Sequence, residues 1–554
     1  MSARRALVLL LAIPALSFLV ACGGGGGSRV VVTPPPSGGF SNSNLNGTYV
    51  FSVSGTDSTG ASYAMVGTFA ANGSGGNGKG GITGGTLDIT DANTGEFTGG
   101  PIASATINSN SFYSVSVDGR GQATIGTNIQ GFGNITLDFV LSSSSHGLVS
   151  EFDTFGTGSG TLDLQTASVT PTGPYAFSLA GAFYGGTTAF ATVGNFTVGS
   201  GGAIAGLEDF NDGGAAAYTS ETLTGTVAAG PTSTPSTTLT TPQFATLTFD
   251  VFPIDANHLK FIEMDTTATL SGDAFSQTST TIPAGTYAFT LQGTYPALSG
   301  TPFAAGGLMT TDGTSSITSA STEDFNEGGT LSPATSPSFT ATYGSATGQT
   351  GRYTFTNFSG FTPSNAGFAL AAYPSSGGIF LLEIDNAGIT IGAAYAQSPS
   401  ASFSTSAGYG LNLSGVNLGQ QSGQPSEVDD IAEFTPGSGS TINGLIDENS
   451  LVTGPIFASP FINNSSASST YTAPVNGRGS IAANVSGTVN GGFILNFYSV
   501  DGTTYPFMEY DNGQVATGVF VAQSTPATSA ARETHSMFVP QPLFRPHSAK
   551  LKRK

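Results

Sequence analysis

The stretch Gly47-Thr48-Tyr49-Val50-Phe51-Ser52-Val53-Ser54-Gly55 decides how the chain is read, because it comes back three times. It returns as Gly173-Pro174-Tyr175-Ala176-Phe177-Ser178-Leu179-Ala180-Gly181 and as Gly285-Thr286-Tyr287-Ala288-Phe289-Thr290-Leu291-Gln292-Gly293. A looser copy is Gly408-Tyr409-Gly410-Leu411-Asn412-Leu413-Ser414-Gly415. Apolar residues at every second position mark a strand with one buried face. A closing strand recurs as well, written as glycine, four residues, glutamine. Its copies are Gly160 to Gln165, Gly272 to Gln277, Gly392 to Gln397 and Gly518 to Gln523. Start and stop together divide the body into units at 47–165, 173–277, 285–397 and 408–523. Such self-similarity is the mark of a repeat array.

The third unit parses into eight strands, at 286–293, 302–310, 315–325, 337–344, 352–359, 367–373, 378–385 and 389–397. Gly, Asn, Asp and Ser separate them at hairpin spacing, and no stretch has helical periodicity. An eight-stranded meander must hide its edges, and closing into a barrel does so. The expected fold is therefore all-β, four tandem antiparallel eight-stranded barrels, with a two-sheet sandwich as the alternative. The layout resembles the avidin and lipocalin barrels. The opening Gly-x-Tyr stands where those families often carry Gly-x-Trp, and this chain has no tryptophan. The resemblance is one of layout, and no ligand motif is carried over. Read as independent beads, residues 173–277 or 285–397 are expected to fold alone.

The N-terminus has the plan of an export signal. Arg4 and Arg5 precede an apolar run from Ala6 to Leu19, which is too short to span a bilayer. Leu19-Val20-Ala21-Cys22 resembles the lipobox of bacterial lipoproteins. The resemblance implies a signal peptide at 1–21 and diacylglycerol on the Cys22 sulfur. Gly23, rather than aspartate, favours the outer over the inner membrane. Cys22 is the only cysteine in the chain, so it has no intrachain disulfide partner. Residues 22–46 read as a Gly/Pro tether.

Only 9% of the residues are charged, and the balance is uneven. Between Gly47 and Gln523 stand 33 acidic and 5 basic residues, which excludes a general nucleic-acid surface. Residues 524–554 read as a disordered basic tail.

Late in each unit comes Glu-x-Asp: Glu151/Asp153, Glu263/Asp265, Glu383/Asp385 and Glu509/Asp511. Alternate residues of a strand share a face, so each pair sets two carboxylates side by side. They read as structural acceptors of amide and hydroxyl hydrogen bonds, with calcium as the alternative cofactor, since hard oxygen ligands suit it. A glycosidase pair needs a cleft and unequal environments, for which nothing in the sequence argues. A second repeated pair, Asp-x-Asn, occurs at Asp91/Asn93, Asp209/Asn211, Asp324/Asn326 and Asp447/Asn449 and reads as a hairpin turn. Pairing of Arg352 with Glu383 is not expected, because a meander separates them along the strands. None of the four histidines has a partner at metal or triad spacing.

These features point to a non-catalytic, lipid-anchored envelope or surface protein, a scaffold or adhesion array. Its partners would be membrane lipid through Cys22 and an envelope polymer or surface partner. The alternative is a binding protein with small apolar or saccharide ligands in its barrels.

Overall fold

The computed structural model describes residues 39–524, apart from 75, 94–99, 186–187, 214–216, 229–233, 244–245, 296–299, 363–366, 399–401, 420–424, 465 and 489. Cys22, the segment read as a signal peptide, residues 22–38 of the segment read as a tether and the tail from 525 lie outside the described residues; residues 39–46, read as the end of the tether, instead pack on the first barrel, with Phe40 and Leu45 in its core.

The body is all-β, and each unit is an up-and-down meander. In the second unit the ring of eight strands runs from Gly173–Ala182 through to Ser271–Ser276, which pairs back onto the first. The first and third units close the same way, each with a short extra strand laid beside the third strand: Ile102–Ile107 and Thr330–Leu331. The sandwich alternative is thereby excluded for these three. The fourth sheet stays open in its ladder, and the gap is spanned by single bridges, Thr441 to Thr470 and Phe461 to Val485. The eight strands read from the third unit all appear, from Gly285–Tyr295 to Ile389–Ala396.

The repeated opening strand fills its barrel. Tyr175, Phe177 and Leu179 point inside the second barrel, as Tyr287, Phe289 and Leu291 do in the third. The tyrosine hydroxyl is not lost to the core. In each unit it donates to a backbone carbonyl at the barrel end, such as Tyr49 to Ser144 at 2.7 Å and Tyr175 to Ala256 at 2.8 Å. The glycine of the closing motif is explained by the same strand pair. A Cβ on Gly392 would lie 1.9 Å from the Thr290 carbonyl oxygen, and one on Gly160 1.7 Å from that of Ser52. Only glycine lets the last strand lie this close to the first.

One expectation needs correction. The opening strand has two buried faces, because the barrels are not beads. Ala176, Ala180, Ala288 and Val416 point outward from their barrels into a further apolar core, to which all four units contribute. Its other members include Val140, Phe380, Ile391 and Met508, all nearly inaccessible. The outward alternates are Ala, Ser and Thr rather than Lys and Glu because neighbouring barrels cover them. This also accounts for the low charge content.

The barrels follow one another around a closed cycle. The second and third strands of each unit lie against the sixth and seventh strands of the next. The same faces meet again between the fourth unit and the first, where Ser426–Pro436 lies on Ile135–Leu141 and His146–Phe152. Head-to-tail contacts of one kind make a ring when the rotation closes. Here the ring is closed within one chain. The shared core argues against the expectation that residues 173–277 or 285–397 fold alone.

Candidate functional site

The four seams of this ring gather nearly all the repeated polar residues. The closing glutamines come first, and every seam has one. Gln165 donates its side-chain amide to the Pro253 carbonyl at 2.6 Å, Gln277 to Pro374 at 2.9 Å, Gln397 to Ser499 at 2.7 Å and Gln523 to Leu141 at 3.0 Å. Each reaches the sixth strand of the following barrel, or the residue just past it, and the fourth reaches the first. The sequence showed these glutamines only as repeat markers. Their spacing from glycine was visible, but their partners lie in other units.

The second stitch joins an aspartate to an arginine one unit on. Arg352 grips Asp209 through Nη2 at 2.6 Å and Nε at 2.7 Å. Arg478 grips Asp324 at 2.6 and 2.9 Å, and Arg120 reaches Asp447 at 2.8 Å. Tyr498 adds a hydroxyl to Asp324 at 2.7 Å. Two-pronged guanidinium bonds of this kind are the strongest ion-pair geometry available. Arg352 therefore serves the second unit's carboxylate and not Glu383 of its own.

The third stitch uses the asparagine two residues after that aspartate. Asn211 donates to the carbonyls of Glu383 and Gly388 at 3.0 and 2.9 Å. Asn326 donates to those of Asp511 and Gln514 at 2.7 and 2.8 Å, and Asn449 to those of Glu151 and Gly156 at 2.9 Å each. In these three units Asp-x-Asn is thus not a hairpin turn. It lies on the third strand and ties down the neighbour's Glu-x-Asp turn.

Within that turn the two carboxylates do different things. The aspartate accepts the N–H two residues on and the N–H at the start of the sixth strand. Asp153 takes Phe155 at 2.7 Å and Thr136 at 2.8 Å, and Asp265 takes Thr267 at 2.8 Å and Thr248 at 2.7 Å. Asp385 takes Ala387 at 2.8 Å and Ala369 at 3.1 Å, and Asp511 takes Gly513 at 2.9 Å and Ile494 at 3.1 Å. The glutamates point inward and are fully buried. Glu151 is met by the Tyr63 hydroxyl, and Glu263 by the N–H groups of Ala268 and Leu270 at 2.9 and 3.3 Å. The carboxyl oxygens of Glu383 and Glu509 have no hydrogen-bond partner among the described residues. Burial, and then the adjoining aspartate charge, push all four glutamates well above the ordinary carboxylate range. Among the described residues, no group of three or more His, Cys, Asp or Glu is placed to hold a metal ion.

The seam between the first and second units is built differently. By register, Asp88, opposite Val66, is the counterpart of Asp209, opposite Val193. The pair noticed in the sequence, Asp91/Asn93, lies three residues further along and makes a local turn, Asn93 N–H to Asp91 at 2.7 Å. Thr90 stands in the asparagine's place with its hydroxyl buried and without a hydrogen-bond partner among the described residues. Asp88 lies beside Asp250 of the second unit instead of an arginine, and burial, reinforced by that neighbour, pushes it up to about 8. Apolar contact takes over here, with Val50, Ala64 and Val66 against Phe252, Ile254 and Ile262. A buried charge network lies nearby. Lys260 and His258 both bond Asp273, at 2.7 and 2.6 Å, while His146 bonds Asp163 at 2.7 Å. Lys260 also stands 3.9 Å from Asp163, across the seam. Burial alone would raise Asp163 and Asp273, but the neighbouring histidines and Lys260 hold both below the usual range.

The seams set the sign of the pH response. Glu433 is pushed up to about 8 and Glu208 to about 7, both mainly by burial, alongside Asp88 and the four turn glutamates. A carboxyl raised in the folded state stabilises fully below its unfolded value near 4 and loses that contribution as pH rises through its folded value. Each such proton gives a slope of up to about 1.4 kcal/mol per pH unit. The melting temperature is therefore expected to fall steadily from pH 5 to pH 9, as read by circular dichroism. A melting temperature that rises over that interval would contradict the assignment.

No family model matches this chain, and no curated protein matches it. Solved structures with a partial likeness include the isotype 1 transferrin binding protein B from serogroup B Neisseria meningitidis. It is 11% identical, with 68% of this chain and 84% of that chain covered, at a TM-score of 0.18. The transferrin binding protein B Trp-176-Ala mutant from Haemophilus parasuis Hp5 is 9% identical, covering 90% of this chain and 99% of that one, also at 0.18. At such scores the likeness establishes neither a shared arrangement nor a shared role, and the ring rests on its own geometry.

Proposed function

We propose that this chain is a non-catalytic, lipid-anchored protein of the bacterial cell envelope, whose four barrels form a rigid scaffold held off a membrane. One observation carries the reading: the repeated glutamines, and in three seams the Asp-x-Asn pairs with their arginines, are spent on joining barrel to barrel, while the aspartates of Glu-x-Asp cap turns of their own units. A scaffold needs fixed geometry, and the seams supply it. Diacylglycerol on Cys22 would supply the anchor, with the outer membrane favoured by Gly23. Cys22→Ser is expected to move the protein into the soluble fraction or leave an uncleaved precursor. Normal processing with unchanged membrane partition would overturn the anchor.

The third barrel favours a second reading. It holds an apolar cavity of about 10 Å³, lined by Phe289, Phe339, Phe355, Phe358, Phe361 and Met309 among others, which is room for about one water molecule. This lies below the roughly 300–1,000 Å³ usual for ligand sites, so a small apolar ligand is the second choice. Calcium is expected to leave the melting temperature unchanged, since the aspartates of the turns are already satisfied by amides. A calcium-dependent rise that disappears in Glu383→Gln/Asp385→Asn would make these turns metal sites.

A further inference from the structure

Three of the four seams are clamped by an arginine, which stays charged at any ordinary pH. It stands against Asp209, Asp324 or Asp447. Among the described residues, the seam between the first and second units has no arginine. Its charged groups are Asp88 beside Asp250, and a network of His146 and Asp163 from the first unit with Lys260, His258 and Asp273 from the second.

The network stands where the repeat elsewhere places apolar side chains. Counted back from the closing glutamines, Asp163 holds the place of Phe275, Tyr395 and Val521, and Asp273 that of Thr161, Ala393 and Val519. Phe275, Tyr395, Val521, Ala393 and Val519 all belong to the shared core. Asp163, Lys260 and Asp273 are themselves buried. Apolar residues often match or better a buried ion pair in stability, so stability alone does not account for this one.

Charge balance and hydrogen bonding say which groups carry charge. Two carboxylates face one ammonium, so one imidazolium makes the network neutral. His258 is a poor carrier. Its Nε2 bonds Asp273 at 2.6 Å, but its buried Nδ1 has no hydrogen-bond partner among the described residues, and an imidazolium has two N–H groups to satisfy. His146 bonds Asp163 through Nδ1 at 2.7 Å, and its side chain is 12% exposed, so water can reach it. The pairs are then His146 with Asp163 and Lys260 with Asp273. Without the His146 proton, Asp163 is left with the Thr161 hydroxyl at 2.7 Å and with Lys260 at 3.9 Å, which Asp273 already holds at 2.7 Å. The other titratable groups turned toward the network are Tyr395 and Asp255. Burial, and then Asp273, push the Tyr395 phenol up, and the Asp255 carboxylate takes the N–H groups of Asn257 and His258 at 2.6 and 3.0 Å. Neither supplies a cation.

We propose that the first seam is a proton-operated latch, closed by the His146 imidazolium on Asp163, and that it loosens ahead of the other three seams as pH rises. Histidine is the side chain whose charge ordinarily changes between about pH 5 and 8. Asp88 acts in the same direction over the same interval: pushed up to about 8, it gains its charge beside Asp250. Two bare carboxylates there repel. Asp163 also lies close to the bonds that would report loosening. Two residues on, Gln165 bonds Pro253, and the Thr166 and Ala167 N–H groups donate to the Ile254 carbonyl at 2.9 and 3.3 Å.

Amide hydrogen exchange of the full chain, resolved by residue, tests this. The third and fourth seams have comparable bonds, Ser398 N–H to Val500 and Ser524 N–H to Ser142, both at 2.7 Å. After correction for the intrinsic rise of exchange with pH, Thr166 and Ala167 are expected to lose about tenfold or more in protection between about pH 6 and pH 8.5, and at least about threefold more than Ser398 and Ser524. His146→Arg with Asp88→Asn fixes a cation and removes the second carboxyl, and should abolish that excess loss. An equal loss at all three seams would overturn the latch, and the unmodified chain decides this by itself if the variant does not fold. An undiminished excess loss in a folded variant would overturn it as well.

Discussion

Ending the chain after Gln397, so that the fourth barrel is missing, is expected to leave the other three aggregated or unfolded rather than as three stable domains. The reason lies in the shared core. Without the fourth unit, Ala288, Ala304, Leu308 and Val140 lose the cover of Met508, Val515, Val519 and Tyr498. Two seams open at once, because the fourth unit joins both the third and the first. Asp324 loses Arg478, and Arg120 loses Asp447. At about 25 cal/mol per Å², newly exposed apolar surface draws directly on a folding margin of only about 5–15 kcal/mol. Soluble expression and heat-capacity scans check this. Three barrels that melt as they do in the full chain would show that the units are independent.

Arg352→Ala is the single substitution expected to cost most. Arg352 and Asp209 are both buried, and the carboxylate faces its cation across the second seam. Removing one partner of a buried pair leaves a charge in an apolar surrounding, typically about 3–5 kcal/mol. The Tyr373 hydroxyl also bonds Asp209 and would keep part of the loss down. Adding Asp209→Asn removes the stranded charge, so the double variant should be more stable than Arg352→Ala alone. Denaturant unfolding of the four chains of this cycle measures it. A loss below about 1 kcal/mol, the range of exposed pairs, would show that the seam does not depend on the ion pair.

Much of the barrel architecture was legible because it is local. Tyr175, Phe177 and Leu179 alternate along one strand, and hairpin punctuation sets where the strands of 285–397 turn. The ring was not legible, because each of its bonds joins residues far apart in sequence. Asn449 serves Gly156, and Gln523 serves Leu141. Register also misled in the first unit, where Asp91/Asn93 looked like the repeated pair although Asp88 and Thr90 occupy its place. A signal for the ring did exist in the opening strands. Ala176, Ser178, Ala180, Ala288 and Thr290 are small where a solvent-facing strand would carry charge, and that was the mark of a second buried face. Of each carboxylate pair only the glutamate lies on its strand; the aspartate, read as the next residue on the same face, falls in the turn just past the strand's end. Their division into a capping aspartate and a buried glutamate whose carboxyl is pushed upward depends on burial, which alternation alone does not give.

The central claim is that the fourth barrel closes on the first. Small-angle X-ray scattering of residues 39–524 tests it most directly. A closed ring of this length is expected to give a radius of gyration of about 23 Å, the value for a compact chain of its size. Four barrels strung in a line would give a value above about 35 Å, and that result would contradict the ring.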